Sequence, residues 1–494
     1  MATATSPPVL STAPLQLAAR PGLQRFARWL AVATVLVGTH LATASYFAAR
    51  YAGGEVGVAG KPLTLDLSQD AWATITAGAD SSAYLRVARQ VAAGNGVVAP
   101  FPGAVPPRTG PFTYWGPGAP VALGIWLRLV GGDSMRTFFW FAVASQLCFG
   151  AITLATVSLY TKNFWALAAT AICTGFCPPL QLWFYGDNLT SSEIVSLVPI
   201  ALSYFALAKG FLAYRAVNCG RRLNAAAWRA VGWFAVASLM IGVYSLVRDS
   251  GTVFATFTAC FLAGRAILKL DRPRLAVALL AAFVLIAGVQ AVRQPVRTWN
   301  KRRMGFSLVC ASSEGCIWRY GLWMKHDAAD WIETAGLGMG EYLDPAAAKR
   351  VEDYYLAGGP QPEWYSLKQF VPAVLNRPRD ALQFKLVRLP VLWLATNRWP
   401  NVHLNLASYW CLAFYATFVA LVVIHLRRRQ YLPEPLYLYL LLLICASALI
   451  HYEFRYTLPI WSALVMAPGL LIAAFAEKRS LPTQQSVSQL TTDD

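Results

Sequence analysis

The stretch GADSSAYLRVARQVAAGNG, residues 78–96, is polar and follows the first apolar run of the chain, residues 26–49. It places Asp80, Tyr84, Arg86 and Arg89 near a membrane span in a chain that is 56% hydrophobic and only 13% charged. Soluble domains carry roughly 25% charged residues, and uncharged runs of about 20 residues recur along this sequence. The composition therefore predicts an all-α polytopic membrane protein.

The formal net charge of +18 comes mainly from basic residues in the loops between apolar runs. Lys and Arg gather in short segments between apolar runs, where they orient the chain and meet anionic lipid head groups. No basic stripe alternates with aromatic residues in a soluble segment, which disfavours nucleic-acid binding. We expect membrane lipids as partners and no nucleic acid.

The hydropathy pattern predicts about ten transmembrane helices. They are expected at residues 26–49, 136–160, 164–184, 189–212, 230–247, 251–268, 275–292, 404–426, 435–450 and 456–476. An eleventh apolar run, 117–130, is too short to cross a hydrocarbon core of about 30 Å. We interpret it as a helix that lies against the outer membrane surface, beginning at Pro117.

Basic clusters fix the expected orientation, because cytoplasmic loops are enriched in Lys and Arg. The clusters lie at residues 20–28, 215–229, 269–274, 427–429 and 478–479. This topology places both termini in the cytoplasm and two long segments, 50–135 and 293–403, outside. The predicted organisation is a cytoplasmic tail (1–25), a transmembrane core with the first outer loop (26–292), a small extracytoplasmic helical cap (293–403), C-terminal transmembrane helices (404–476) and a disordered tail (477–494).

Polar groups from distant parts of the sequence converge on the outer side in this topology. They lie in residues 78–96, 187–193, 248–249 and 451–456, each next to the end of a span. Polar residues at membrane depth are costly and tend to mark function. The outer ends of the spans are therefore the predicted functional site.

Cysteine and histidine offer little evidence for a metal site. Most of the nine cysteines lie inside apolar runs and behave as small hydrophobic residues. Cys310 and Cys316 lie in the outer segment instead, where a disulfide between them is plausible. No cofactor is predicted firmly, and a divalent metal is allowed but not implied.

Several motifs resemble the GT-C glycosyltransferases, polytopic enzymes that take a sugar from a polyprenyl phosphate. The opening stretch and TYWGPGAPVALGIWLRLVGG (113–132) resemble the first outer loop of the branch that contains the bacterial aminoarabinose transferase and the protein O-mannosyltransferases. DNLTSSEIVSL (187–197), SLVRDSGTVFA (245–255) and HYEFRYTLPIW (451–461) follow in the family's order. The matching positions are Asp80, Tyr84, Ala88, Gly94, Pro117, Pro120, Glu193, Arg248, Arg455, Tyr456 and Pro459.

The resemblance implies a GT-C-type helical bundle with juxtamembrane helices in the first outer loop. It implies a multi-pass enzyme of the bacterial inner membrane whose extracytoplasmic site uses an undecaprenyl- or decaprenyl-type phosphate sugar as donor. The acceptor is a hydroxyl on a lipid, a glycan or a protein. Many relatives carry two adjacent acidic residues in this loop, whereas Ser81 follows Asp80 here. This departure favours the single-Asp branch over a protein O-mannosyltransferase.

The resemblance also suggests roles for the polar residues. Transfer to a hydroxyl needs a carboxylate that takes the acceptor proton, and we assign Asp80 as this general base. The rival interpretation is that Asp80 only caps the N-terminus of a helix at residues 81–93. Arginines neutralise the phosphate, with Arg86, Arg89, Arg248 and Arg455 as candidates.

Structural roles compete with each of these assignments. Arg86 and Arg89 can form a solvated helix face, Arg248 can pair with Asp249, and Arg455 can pair with Glu453. Tyr84 either contacts substrate or packs against the membrane-side core. Glu193 either positions the acceptor or holds one of the two later arginines. Tyr456 follows Arg455 and completes the predicted substrate-binding set.

Two other functions remain open from the sequence. A lipid-linked glycan flippase or transporter would place ionisable residues at mid-membrane in several spans, whereas here they cluster at span ends. An O-antigen-ligase-like transferase would use a His and an Arg in its large outer loop, where His326 is available.

Overall fold

The computed structural model describes residues 21–52, 79–101, 108–111, 116–132, 134–185, 191–217, 225–248, 250–269, 272–304, 404–428 and 457–480, together with 309, 375, 393–394, 434, 436 and 438–442. In chain order, the elements are α1 (Pro21–Ala52), α2 (Ala79–Ala92), β1 (Val98–Phe101), β2 (Arg108–Pro111), α3 (Gly118–Val130), α4 (Met135–Val157), α5 (Phe164–Gly175), α6 (Pro178–Tyr185), α7 (Ser192–Arg215), α8 (Ala225–Val247), α9 (Ser250–Lys269), α10 (Arg272–Met304), α11 (Leu406–Arg427), α12 (Leu458–Leu464) and α13 (Ala467–Ser480).

The protein is an all-α polytopic membrane protein with one small hairpin. Among the described residues, seven helices are long and apolar enough to cross a membrane, namely α1, α4, α7, α8, α9, α10 and α11. They coincide with seven of the predicted spans. The total of about ten crossings stays a prediction, since most of the expected span 435–450 lies outside the described residues.

Two predicted spans are each divided into two helices. The expected span 164–184 breaks between α5 and α6, directly before Pro178 and Pro179, because a proline disfavours helical backbone in the residue before it. Side chains satisfy carbonyls at the break: Thr43 donates to the Gly175 oxygen at 2.8 Å and Gln181 to the Thr174 oxygen at 3.1 Å. The expected span 456–476 divides likewise into α12 and α13.

Helix α10 is longer than the hydropathy pattern predicted. The apolar run ends at Val292, but the helix continues to Met304 through Pro295. The segment expected to lie outside, residues 293–403, therefore begins as a helical extension of a membrane span. Most of the expected cap, 293–403, and both Cys310 and Cys316 lie outside the described residues.

The segment expected as the first outer loop, residues 50–135, contains the two predicted juxtamembrane helices, α2 and α3, separated by a hairpin that the sequence did not predict. Gly94 and Gly96 take positive φ angles of 83° and 81° where the chain leaves α2, a conformation that glycine adopts without steric cost. Strands β1 and β2 then pair antiparallel, with Val98 opposite Pro111 and Phe101 opposite Arg108.

Helix α7 lies at the centre of the bundle and packs against α3, α4, α8 and α12. Sixteen of its 24 residues are buried, so the helix is covered around most of its circumference. A helix surrounded in this way belongs to the core of the bundle, and its largest buried side chains include Tyr204 and Phe211. One end of α7 carries Glu193 and the other carries Arg215, so this helix connects the two ends of the bundle.

Candidate active site

Helix α2 carries the Asp80 motif and rests on α3. Its inner face is buried: Tyr84 is 4% exposed, and Val87 and Ala88 lie in the apolar core. Arg86 and Arg89, on the same helix, are partly exposed. Tyr84 therefore occupies a packing position, while the two arginines lie nearer to the surface.

Asp80 lies inside the first turn of α2, because the helix begins at Ala79 rather than at Ser81. The side chain of Asp80 lies outside the described residues. Its assignment as the general base and its rival role at the helix N-terminus both remain predictions.

The contact between α2 and α3 depends on Gly124. A Cβ at this position would lie 2.6 Å from Val91 Cβ and 2.7 Å from the Ala88 oxygen, both on α2. Real Cβ atoms do not approach other atoms so closely, so a larger residue would separate the helices. The position of the Asp80 helix is therefore set by backbone contact with α3.

The loop before α3 is pressed against the end of α8. Gly116 packs directly on the Leu246 carbonyl oxygen, and a Cβ at Gly118 would lie 2.7 Å from Val247 Cγ2. Arg248 follows immediately, and its backbone N–H donates to the Tyr244 oxygen at 2.7 Å. The α2–α3 unit and Arg248 are thus neighbours in the fold.

Arg248 is bound by a buried carboxylate from the first turn of α7. Its Nη2 forms an ion pair with Glu193 Oε1, and its Nε donates to Ser192 Oγ at 3.3 Å. Ser192 Oγ in turn donates to Glu193 Oε2 at 3.2 Å. The side chains of Arg248 and Glu193 are only 12% and 2% exposed, so the pair is largely shielded from water.

This geometry brings together two of the predicted site residues. Of the three roles considered for Glu193, holding Arg248 is the one seen in the structure. The alternative partner of Arg248, Asp249, lies outside the described residues, as do Arg455, Tyr456 and His326. Their predicted roles remain predictions. Thr457, the next residue after Tyr456, is buried at the start of α12, which packs against α7.

A second buried cation, Arg293 of α10, was missed by the sequence analysis. It is 2% exposed and donates to Thr252 Oγ1 in the first turn of α9. Helices α8 and α10 run parallel, since Gly288 packs on Ser238 and Val292 packs on Gly242 one turn later. Arg293 therefore lies about one helical turn from the level of Arg248.

Tyr244 and Ser250 close the connection between α8 and α9. Their hydroxyl oxygens lie 2.7 Å apart, and the Gly251 backbone N–H donates to the Arg248 oxygen at 3.1 Å. These bonds fix the short turn that carries Arg248. The guanidinium is consequently held both through its backbone and by its carboxylate partner.

The described residues contain no group of three or more His, Cys, Asp and Glu side chains that could hold a metal ion. The two shielded cations described at this end of the bundle, Arg248 and Arg293, are both arginines. Guanidinium groups bind phosphate oxygens with two parallel hydrogen bonds, so an arginine site suits a phosphate ligand.

A second charged cluster lies at the opposite end of α7. Glu434 is fully buried and contacts Arg215 at 2.5 Å and Arg265 at 3.5 Å. Burial raises the pKa of the Tyr160 phenol, and the negative charge of the nearby Glu434 raises it further. This cluster joins α4, α7 and α9 to the segment at residue 434.

No family profile matches the sequence, and no curated protein matches it. Among solved structures, the apo oligosaccharyltransferase of Archaeoglobus fulgidus is similar over 89% of this chain and 51% of its own, with 16% identity and a TM-score of 0.49. The archaeal oligosaccharyltransferase AglB of the same organism, in complex with an inhibitory peptide and a dolichol-phosphate, is similar over 92% of this chain and 52% of its own, with 14% identity and a TM-score of 0.47.

ArnT from Cupriavidus metallidurans, in the apo state, is similar over 81% of this chain and 72% of its own, with 14% identity and a TM-score of 0.30. The chain spans about half the length of the archaeal oligosaccharyltransferases it matches. All three TM-scores lie below 0.5, so these likenesses establish neither a shared fold nor an activity, donor or acceptor for this chain.

Proposed function

We propose that this chain is a GT-C-type membrane glycosyltransferase. It moves a sugar from a polyprenyl-phosphate donor to an acceptor hydroxyl on the extracytoplasmic face of a bacterial inner membrane. The observation that carries the proposal is the buried Glu193–Arg248 pair, located where the loop that follows the Asp80 helix packs on the end of α8. An oriented arginine beside a carboxylate-bearing helix supplies the two groups that such a transfer needs.

Asp80 acts as the general base in this proposal. The acceptor oxygen attacks the anomeric carbon of the sugar while its proton passes to the Asp80 carboxylate. The bond between the anomeric carbon and the phosphate oxygen breaks, and its electron pair leaves with the phosphate. A single displacement of this kind inverts the configuration at the anomeric carbon.

Arg248 stabilises the phosphate as its negative charge increases. Donors that are already oriented toward developing charge cost little reorganisation during the reaction. Glu193 and Ser192 hold the guanidinium in one orientation, so Glu193 is a positioning residue and Arg248 contacts the substrate. Arg293 adds a second positive charge at the same end of the bundle.

The decisive experiment replaces Asp80 by Asn in membranes that receive a labelled polyprenyl-phosphate sugar. We expect transfer to the acceptor to fall by about 10²- to 10⁴-fold, because the proton acceptor is lost while the shape of the side chain is kept. Asp80→Glu retains a carboxylate and should keep part of the activity.

Glu477→Gln in α13 is the matched control, since it removes a carboxylate from a helix far along the chain and should leave transfer unchanged. Full transfer by Asp80→Asn at normal protein levels would exclude the catalytic assignment. Movement of labelled donor across the membrane without transfer would instead identify a flippase.

A further inference from the structure

A groove lies between the start of α1 and the turn that joins α4 to α5. Its volume is about 610 Å³. Its lining residues are Ala27, Arg28, Ala31, Lys162, Asn163, Phe164 and Trp165. The groove combines two cations with two aromatic rings and two small side chains, and it belongs to neither of the charged clusters described above.

The groove lies at the end of the bundle opposite to Glu193. Tyr160, two residues before Lys162, neighbours Glu434 and Arg215 at the far end of α7. Because α7 has 24 residues, its two ends are about 36 Å apart, comparable to the thickness of a membrane. A ligand in this groove therefore lies in the other leaflet from the Glu193–Arg248 pair.

The charge of the groove favours an anion. Arg28 and Lys162 are both exposed, and the described segments that supply its lining, residues 21–52 and 134–185, contain no Asp or Glu. Lys162 Nζ donates to the Ser158 oxygen at 2.5 Å, which uses one of the three donors of an ammonium group and fixes its position. The remaining donors are available for a second acceptor.

The apolar part of the groove favours a ligand with a hydrocarbon chain. Trp165 is 70% exposed, and its ring meets the ring of Phe164 edge to face at a centroid distance of 5.2 Å. Exposed aromatic rings at this depth are typical of the membrane interface, where one side of the ring meets lipid. Ala27 and Ala31 leave room for an acyl chain beside α1.

We propose that this groove binds an anionic phospholipid from the leaflet opposite to the candidate active site. The lipid phosphate contacts Arg28 and Lys162, and one acyl chain packs on Phe164 and Trp165. The binding site stands on charge, cavity and aromatic geometry alone, and it is independent of the proposed transferase activity.

The test measures lipid binding by native mass spectrometry of the purified full chain, titrated with phosphatidylglycerol or phosphatidylcholine. We expect retained phosphatidylglycerol to exceed retained phosphatidylcholine. Arg28→Gln combined with Lys162→Gln should weaken phosphatidylglycerol binding by about tenfold or more, since each interfacial cation attracts an anionic lipid separately.

The matched control combines Arg229→Gln with Arg427→Gln, which removes two exposed cations from the same end of the bundle. It should leave binding within about twofold of the original chain, as distant surface charges act weakly. The charge-preserving pair Arg28→Lys with Lys162→Arg should retain binding, which separates loss of charge from loss of fold.

Three outcomes would overturn the proposal. The first is equal retention of the two lipids by the original chain. The second is an equal loss in the groove variant and in the control variant, which would indicate only diffuse attraction. The third is displacement of phosphatidylglycerol by an equal concentration of glycerol phosphate, which would show that a soluble phosphate suffices and that the aromatic rings contribute nothing.

Discussion

The Glu193–Arg248 ion pair is the best-shielded charged contact described at the candidate site. Both side chains are nearly excluded from solvent, and Ser192 bonds to both of them. Removing one member of a buried pair typically costs about 3–5 kcal/mol, because the remaining charge has lost its partner. Removing both members costs much less. This asymmetry allows the structural contribution of the pair to be separated from its contribution to transfer.

Glu193→Gln should lower the thermal stability of the chain and reduce transfer together. We expect a destabilisation of about 3 kcal/mol, since the Arg248 guanidinium would remain buried opposite a neutral amide. Adding Arg248→Met to Glu193→Gln should recover most of that stability, while transfer stays low because the phosphate-binding cation is absent. The measurements are the unfolding midpoint and initial transfer rates of the four chains in a double-mutant cycle.

Recovery of both stability and transfer in the double variant would contradict the role of Arg248 in substrate binding. Arg229→Met provides the comparison for loss of one arginine, since this exposed side chain donates to the Ala225 oxygen of its own helix at 3.2 Å. It should change neither quantity measurably.

Residue roles were only partly predictable from the sequence. The sequence indicated Glu193 and Arg248 as functional candidates. It did not distinguish whether Glu193 positions the acceptor, holds Arg248 or holds Arg455. The choice depends on the side-chain geometry of two residues that are 55 positions apart. Arg293 was missed because its importance comes from the register of α10 against α8 and from its bond to Thr252, neither of which a hydropathy pattern contains.

At the scale of elements, the α2–α3 contact determines where the Asp80 helix lies. Because Gly124 has no side chain, the backbones of α2 and α3 approach so closely that even a Cβ atom at this position would clash with α2. Small residues at helix contacts serve this purpose widely in membrane proteins. Displacing α2 would move Asp80 relative to α8 without changing any polar residue.

Gly124→Ala should therefore reduce transfer and destabilise the chain by about 1–3 kcal/mol, the usual cost of overpacking a close contact. Gly232→Ala in α8 is the matched control, because nothing lies within 4 Å of a Cβ at that position. It should leave transfer unchanged and stabilise the helix slightly, as alanine is the better helix former. Thermal unfolding and transfer assays on both variants test the difference.

A Gly124→Ala chain as active and as stable as the Gly232→Ala chain would show that α2 adjusts without consequence. In that case the close approach of the two helices would not position Asp80.

Element prediction succeeded where a long apolar run forms one helix and failed where proline divides it. Hydropathy located the helices at 135–157 and 225–247 closely, because a membrane span needs about 20 apolar residues whatever their order. The same average conceals the breaks before Pro178 and near Pro468, since an apolar run stays apolar across a bend. The hairpin at 98–111 was missed because its strands are short and contain prolines.

At the scale of the whole molecule, the two ends of the bundle differ in kind. One end holds Arg248 and Arg293 near the loop that carries α2 and α3, and the other holds Glu434 between Arg215 and Arg265. The positive-inside rule assigns the second end to the cytoplasm. This orientation stays a prediction, as the described residues fix which groups share an end but not which side of the membrane each end faces.

Cysteine labelling tests the orientation in a chain whose nine native cysteines are replaced by alanine. Asn95→Cys, just after α2, should react with a membrane-impermeant maleimide on intact spheroplasts, since Asn95 is exposed near the Asp80 helix. Arg229→Cys, in the first turns of α8 at the other end, should react only after permeabilisation. Labelling of both positions from the same side, or in the reverse order, would contradict the topology.

The contact of Gly116 and Gly118 with the last turn of α8 also bears on how the protein is made. The segment that carries α2 and α3 leaves the ribosome long before Leu246 and Val247, and at about 5–20 residues per second the interval is on the order of ten seconds. During that interval α2 and α3 can pack against each other, but the last turn of α8, on which Gly116 and Gly118 finally pack, has not yet been made. The candidate site is therefore completed late in synthesis, and the early loop must persist, partly packed, until α8 arrives in the membrane.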